Sequence, residues 1–230
     1  MAERLEQIAR NLDPVKNTYI NAERAAYLRQ LDLPPDPTDR LRLQVHLARE
    51  LLRAGKSQEA IDHFLHIKRQ LGTTRTKPDV RKLLALAHLR LGEQENCLEQ
   101  HTSDSCLFPI GGTGVHTNQG SARAALAEFT AILQDDPEEM TARWLLNIVY
   151  MFLGEYPDTV PPQWLIPPQA FESDYDIGRF RDVAPHLGLD AVSLAGGSIA
   201  EDFDRDGYLD IMTSSWDIRE QLRYFRNKGD

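Results

Sequence analysis

Four aspartates are spaced along one short stretch, Asp202-Phe203-Asp204-Arg205-Asp206-Gly207-Tyr208-Leu209-Asp210. Carboxylates at positions 1, 3, 5 and 9 of such a run converge on one centre when the backbone curls. Gly207, at position 6, supplies the sharp turn, and Tyr208, at position 7, can add its carbonyl oxygen. Hard oxygen donors in a flexible shell suit Ca2+ far better than zinc or copper. An EF-hand would carry a Glu at position 12 between two helices. Here position 12 is Thr213, in a segment where Leu209, Ile211 and Thr213 alternate with Asp210 and Met212, the pattern of a strand. The candidate ligands are therefore Asp202, Asp204, Asp206, Tyr208 and Asp210, and the alternative is a solvated acidic turn.

A second group, Cys97, His101, Cys106 and His116, could ligate metal or react, but its C-x3-H-x4-C-x9-H spacing matches no zinc-finger pattern. Three readings stay open: a Cys/His metal site, a Cys97–Cys106 disulfide formed in an oxidising compartment, and free thiols with Cys97 at a small-residue position of a helix. A Cys-His nucleophile would also need a base and an orienting group in one pocket, and no sequence signal places either. Gly111-Gly112-Thr113-Gly114 reads as a flexible turn, because no strand precedes it and no Gly-Lys-Ser/Thr follows.

The elements that would position these residues are mostly helical. Residues 3–12 and 16–31 have helical patterns, and the second ends before the prolines of Leu33-Pro34-Pro35-Asp36-Pro37. From Asp39 one helix places Leu47, Ala48 and Leu51 on one face; Gly55 follows, then a second helix with Ala60, Phe64 and Ile67. The same hairpin logic returns at Leu84-Ala85-His88 with Gly92 and at Leu146-Asn147-Tyr150 with Gly154, glycine intervals of 37 and 62 residues. The large, small, large, turn, small and aromatic order of Leu47, Ala48, Leu51, Gly55, Ala60 and Phe64 resembles the tetratricopeptide (TPR) repeat of about 34 residues. The longer interval signals an insertion at about residues 97–120, since Ala125, Phe129, Ile132 and Pro137 fit the second helix of a repeat but arrive late. A long irregular insertion in a regular array is more often functional than decorative. Trp144, Tyr150 and Phe152 lie at helical spacing and read as packing residues.

After Tyr156-Pro157 the helical pattern stops, and Pro161-Pro162 and Pro167-Pro168 mark an extended linker. Beyond Phe180 the chain turns to strands and turns. The D-x-D-x-D-G-x-x-D run followed by a strand resembles the FG-GAP/VCBS repeat of β-propellers. Together with Phe180-Arg181-Asp182-Val183-Ala184, Gly188-Leu189, Gly196-Gly197 and Tyr224-Phe225-Arg226-Asn227-Lys228-Gly229-Asp230, it resembles the opening of a cartilage-acidic-protein-like, ASPIC/UnbV-type repeat region. That resemblance covers residues 40–230. It implies TPR-like helices leading into a calcium-binding propeller, about one blade of which lies in this chain, and a periplasmic or extracellular location.

Charge supports the division. Residues 1–133 carry 18 Lys/Arg against 16 Asp/Glu, whereas residues 134–210 carry 4 against 16, out of a net charge of −9. An acidic second half repels phosphate backbones and attracts cations, so nucleic acid is excluded as a partner. No apolar run is long enough to span a bilayer, and Met1-Ala2-Glu3-Arg4-Leu5-Glu6 lacks the pattern of a secretory signal. The sequence thus predicts a mainly α protein. N-terminal helices form a cap over 1–38, a TPR-like α-solenoid runs over 39–156, a Pro-rich linker spans 157–179, and a calcium-binding β unit resembling a propeller's first blade occupies 180–230. Stacked hairpins create a groove for a protein or peptide rather than a catalytic pocket, which predicts a non-enzymatic scaffold with structural Ca2+. The alternatives are a metal-binding or catalytic protein built on the Cys/His insertion, and a structural subunit of an extracellular assembly in which a neighbouring chain completes the incomplete β unit, a route to self-association.

Overall fold

The computed structural model describes the whole chain except residues 1, 73–77, 100, 101, 103, 176, 177, 179, 192–194, 217–219 and 230. The protein is mainly helical with a small three-stranded antiparallel sheet. It divides into two units, Pro14–Asp176 and Met1–Asp13 with Ile177–Asp230. Among the described residues no helix is long and apolar enough to cross a membrane.

The helical unit contains α2 (Asn21–Gln30), α3 (Pro37–Arg53), α4 (Ser57–Leu71), α5 (Pro78–Glu99), α6 (Gly120–Asp135) and α7 (Met140–Phe152); α1 (Ala2–Arg10) belongs to the other unit. The helix expected over 16–31 starts only at Asn21. α3 begins where Asp36 accepts from the Thr38 and Asp39 N–H groups at 2.8 and 3.0 Å, with Pro37 in the first turn. It ends in a Schellman turn at Gly55 (φ +74°), the Lys56 N–H reaching Leu51 O at 2.9 Å and the Gly55 N–H reaching Leu52 O at 3.1 Å. α7 ends the same way at Gly154 (φ +70°), with bonds from Glu155 to Tyr150 and from Gly154 to Met151.

Gly92 is different from these two. It was expected to turn a hairpin, but it lies inside α5, which continues to Glu99. A Cβ there would meet Ser121 Cβ at 3.4 Å and Ala122 N at 3.6 Å, ordinary contacts with α6. One interior glycine costs a helix only about 1 kcal/mol, which packing on both sides of α5 readily outweighs. Leu84 and Ala87 join a core with Ala48, Leu51, Ala60, Phe64 and Ile67 of α3 and α4. Ala85 and Leu89 join a second core with Phe129 and Leu133 of α6 and Leu146 and Val149 of α7. A helix apolar on all sides is a central one.

The proline-rich stretch expected as a linker is instead packed as far as Phe171. Val160 and Trp164 are buried in the second core. Prolines exclude a helix but not burial, provided that the other backbone groups find partners. Fully buried Asn147 supplies them, donating to Trp164 O at 2.9 Å and accepting from the Ile166 N–H at 3.0 Å. Arg143 adds bonds to Trp164 O and Leu165 O at 3.1 and 2.7 Å, and the Tyr156 hydroxyl donates to Ile166 O at 2.8 Å. Of the aromatic residues expected inside, Phe152 is buried but Trp144 is 40% exposed. Trp144 packs beside Phe108 of the insertion and Phe171, centroids 5.7 and 5.8 Å away.

In the other unit the short helix α8 (Ala184–Leu187) ends at left-handed Gly188. The sheet has the order β1 (Ala195–Glu201), β2 (Asp210–Ser215), β3 (Arg223–Phe225), antiparallel throughout. β1 is an unobvious strand, since Ala195-Gly196-Gly197-Ser198 has little β propensity. Its register with β2 is irregular between Ala195 and Ser198, and a Cβ on Gly196 would strike Ser214 O at 2.3 Å. The glycine is what permits the close approach of the two strands.

Candidate metal centre

The acidic run forms the connection between β1 and β2, with Glu201 and Asp210 paired across the ladder at its two ends. Two residues in the left-handed region, Arg205 (φ +63°) and Gly207 (φ +93°), curl the chain. The curl aims backbone N–H groups at the carboxylates. Asp202 accepts from the Asp206 and Gly207 N–H groups, both at 3.0 Å; Asp204 accepts from Asp206 at 3.2 Å; Asp206 accepts from Tyr208 at 3.0 Å. These bonds fix the carboxylates in one conformation before any ion arrives.

Asp210 anchors the arrangement. It is 1% exposed. Its Oδ2 accepts from the Tyr224 hydroxyl at 2.7 Å and the Phe203 N–H at 3.3 Å, and its Oδ1 accepts from the Asn227 N–H at 2.8 Å. These bonds, led by that from Tyr224, hold the Asp210 carboxyl below its ordinary range. In return the carboxylate pushes the Tyr224 phenol up to about 12. Phe203 and Tyr224 meet edge to face at 6.0 Å, closing the loop's apolar side.

One oxygen each from Asp202, Asp204 and Asp210 lies within 4.8 Å of the other two, the convergence that a hard divalent cation requires. Asp206 stands outside this set. Its Oδ2 pairs with Arg226 at 3.1 Å, and the Arg226 Nε lies 2.5 Å from Asp204 Oδ2. A cation bound here would share Asp204 with a guanidinium already in place. Tyr208 is 49% exposed, and its ring lies against Gly229, where a Cβ would meet it at 2.5 Å. Tyr224, Arg226 and Asn227 are the functional neighbours that spacing alone did not single out. They reach the loop from β3 and the residues after it, so only strand pairing brings them there.

The Cys/His group is not assembled in the same way. His101 lies outside the described residues, and among those described Cys97, Cys106 and His116 form no converging three-ligand set. Both thiols are free and exposed. Partial desolvation by its surroundings, together with the nearby Cys106, pushes the Cys97 thiol up, the opposite of what a nucleophile needs. His116 is buried against Phe152, its ring stacked at 3.9 Å, and burial lowers its pKa.

The insertion that carries these residues is nevertheless tightly held. Buried Asn96 donates to Gly92 O at 2.8 Å and Asn118 O at 2.9 Å, and accepts from the Asn118 N–H at 3.0 Å. The His116 N–H donates to Phe152 O at 2.9 Å. A Cβ on Gly114 would sit 2.6 Å from Asp104 O, so only glycine lets these two turns of the insertion approach so closely. Comparison of the chain with protein-family models, with curated proteins and with solved structures returned no match.

Proposed function

We propose that this is a non-catalytic interaction protein: a TPR-like helical array that presents a protein-binding surface, joined to a β unit resembling a propeller blade whose 202–210 loop holds structural Ca2+. The observation that carries the reading is the convergence of Asp202, Asp204 and Asp210 within 4.8 Å on a loop whose own N–H groups orient the carboxylates. The two Schellman-terminated hairpin helices and the central position of α5 support a stacked array. Ion pairs from α5 to the end of α6 and to the start of α7, Arg81–Asp135 at 2.6 Å and Lys82–Glu139 at 2.9 Å, interleave opposite charges, which suits protein contacts better than a phosphate-tracking surface. Calcium would neutralise carboxylates that otherwise repel one another and would pin the β1–β2 connection against β3.

Calorimetry with calcium and with magnesium tests the metal reading. Calcium is expected to bind at one site and to raise the melting temperature of the β unit, by about 2.7 kcal/mol of stability at a free concentration ~100 times the dissociation constant. Magnesium, which demands a tighter octahedron, binds worse. Asp204→Asn weakens calcium binding and leaves the helical unit folded. Absence of both calcium heat and chelator-sensitive melting in the folded protein would sink the proposal.

A further inference from the structure

Large aromatic side chains ordinarily fill the inside of a helical array, and in the helical unit Phe64, Phe129, Phe152 and Trp164 are buried. Phe108 and Trp144 are not; they are 46% and 40% exposed. They also lie together, in one cluster with Phe171. The ring centroids are 5.7 Å apart for Phe108 and Trp144, 5.8 Å for Trp144 and Phe171, and 6.4 Å for Phe108 and Phe171. Each ring comes from a different part of the chain: the insertion, α7 and the end of the docked proline-rich stretch. Met140, 66% exposed, lies one turn before Trp144 on the same face of α7 and extends the patch.

The rings are held in place from behind. Ile110, two residues after Phe108, is buried in the second core, and beyond it the His116 N–H is bonded to Phe152 O. Phe171 meets Tyr156 edge to face at 6.1 Å, and the Tyr156 hydroxyl donates to Ile166 O. A contiguous apolar patch left exposed on a folded chain marks a contact site, and rings fixed in advance lose little freedom on binding.

Charge specifies the partner. Residues 134–174 carry eight Asp/Glu and a single Lys/Arg, Arg143. Arg143 is committed to Trp164 O and Leu165 O, while Asp135, Glu139 and Glu155 are paired with Arg81, Lys82 and Arg123. Asp136, Glu138, Asp158, Glu172 and Asp174 have no cationic partner among the described residues. Glu172 directly follows Phe171. Asp136 and Glu138 precede α7, at the end towards which a helical side chain such as Trp144 leans.

We propose that this patch docks a basic, partly apolar peptide segment of another protein. An apolar side chain of the segment covers Phe108, Phe171 and Met140, an Arg or Lys lies over the exposed face of Trp144, and the unpaired carboxylates attract its flanking cations. An acidic or phosphate-bearing partner is repelled, and an isologous dimer through this patch would set like charges against each other. The proposal rests on the reading of an interaction protein, whose contact surface and partner chemistry it names, and is independent of the calcium loop.

Selection of a random peptide library displayed on phage against the full chain tests this, with the enriched sequences synthesised and titrated calorimetrically. Arg or Lys beside large apolar residues is expected to be enriched, and Trp144→Ala and Phe108→Ala should each weaken binding about tenfold or more. Exposed Glu172, whose carboxylate has no ion pair to lose, provides a variant whose folding is not at stake. Glu172→Arg should weaken the same peptides about threefold and reduce the salt dependence of their binding. Peptides that keep full affinity for both alanine variants overturn the placement and leave an interaction protein that uses another surface; a library with no enriched sequence counts against both readings. Enrichment of acidic sequences, or sedimentation showing a dimer that Trp144→Ala disperses, overturns the choice of partner.

Discussion

Replacing Asn147 by alanine tests whether the proline-rich stretch is docked or merely tethered. The side chain is fully buried, and its Oδ1 accepts from Ile166 N. Alanine leaves that N–H without an acceptor in a site that water reaches poorly, at a cost of about 1–3 kcal/mol. Trp164 O loses the 2.9 Å bond from Asn147 but keeps the 3.1 Å bond from Arg143, so its loss is the smaller one. The vacated volume, walled by α7 and Trp164, adds a cavity cost and brings the total to about 2–4 kcal/mol. Thr159→Ala, at an exposed hydroxyl that bonds only Glu155 O, is the control and should change stability by about 0.5 kcal/mol or less. Urea unfolding followed by tryptophan fluorescence gives the magnitude, and limited proteolysis between residues 157 and 171 reports release of the segment. A loss in Asn147→Ala no larger than that of the control, with the segment still protected, would refute the reasoning and leave docking to Val160 and Trp164 alone.

The pair of Asp210 and Tyr224 predicts a pH window for the β unit. Tyr224's folded-state pKa, about 12, lies above its ordinary value of 10.0, so its contribution is fully present below about pH 10 and is lost as pH rises through about 12. Asp210 behaves in the opposite sense, contributing above the ordinary carboxylate range and losing that contribution as pH falls through its lowered pKa. Melts followed by near-ultraviolet circular dichroism should show the alkaline loss, and Tyr224→Phe should abolish it; an unchanged alkaline profile would contradict the bond. Two glycines should respond oppositely to alanine. Gly92→Ala, inside α5 with ordinary contacts, should be neutral or stabilising by up to about 1 kcal/mol, whereas Gly114→Ala, meeting Asp104 backbone at 2.6 Å, should cost about 1–3 kcal/mol in urea denaturation.

How far the sequence could be read depended on whether the determining contacts were local. The 202–210 loop was legible because its turn and its carboxylate-to-N–H bonds span no more than five residues. Gly55 and Gly154 were legible as turns for the same reason, each Schellman motif closing within its own helix end. Gly92 has the same surroundings in sequence but packs on α6, so it remains helical; only tertiary contact separates the cases. β1 escaped notice because Gly196 is demanded by the facing backbone of Ser214 and not by any propensity of its own. The anchoring of Asp210 by Tyr224 and Asn227 depends on the pairing of β2 with β3, and the docking of residues 157–171 depends on Asn147, which reads locally as one more helical position.

The double-sided burial of α5 has a consequence for how the helical unit comes apart. Because Leu84 and Ala87 serve one core while Ala85 and Leu89 serve the other, neither core can be opened without stripping one face from the helix they share. Most of a helix's stability in a protein comes from the packing of its apolar faces, so α5, although it runs from Pro78 to Glu99, is weakened when half its contacts go. Fraying can therefore begin at α2 or in the 157–171 stretch. Once it reaches α5, both halves lose their support together, making α5 the keystone of a single cooperative melting step in hydrogen exchange.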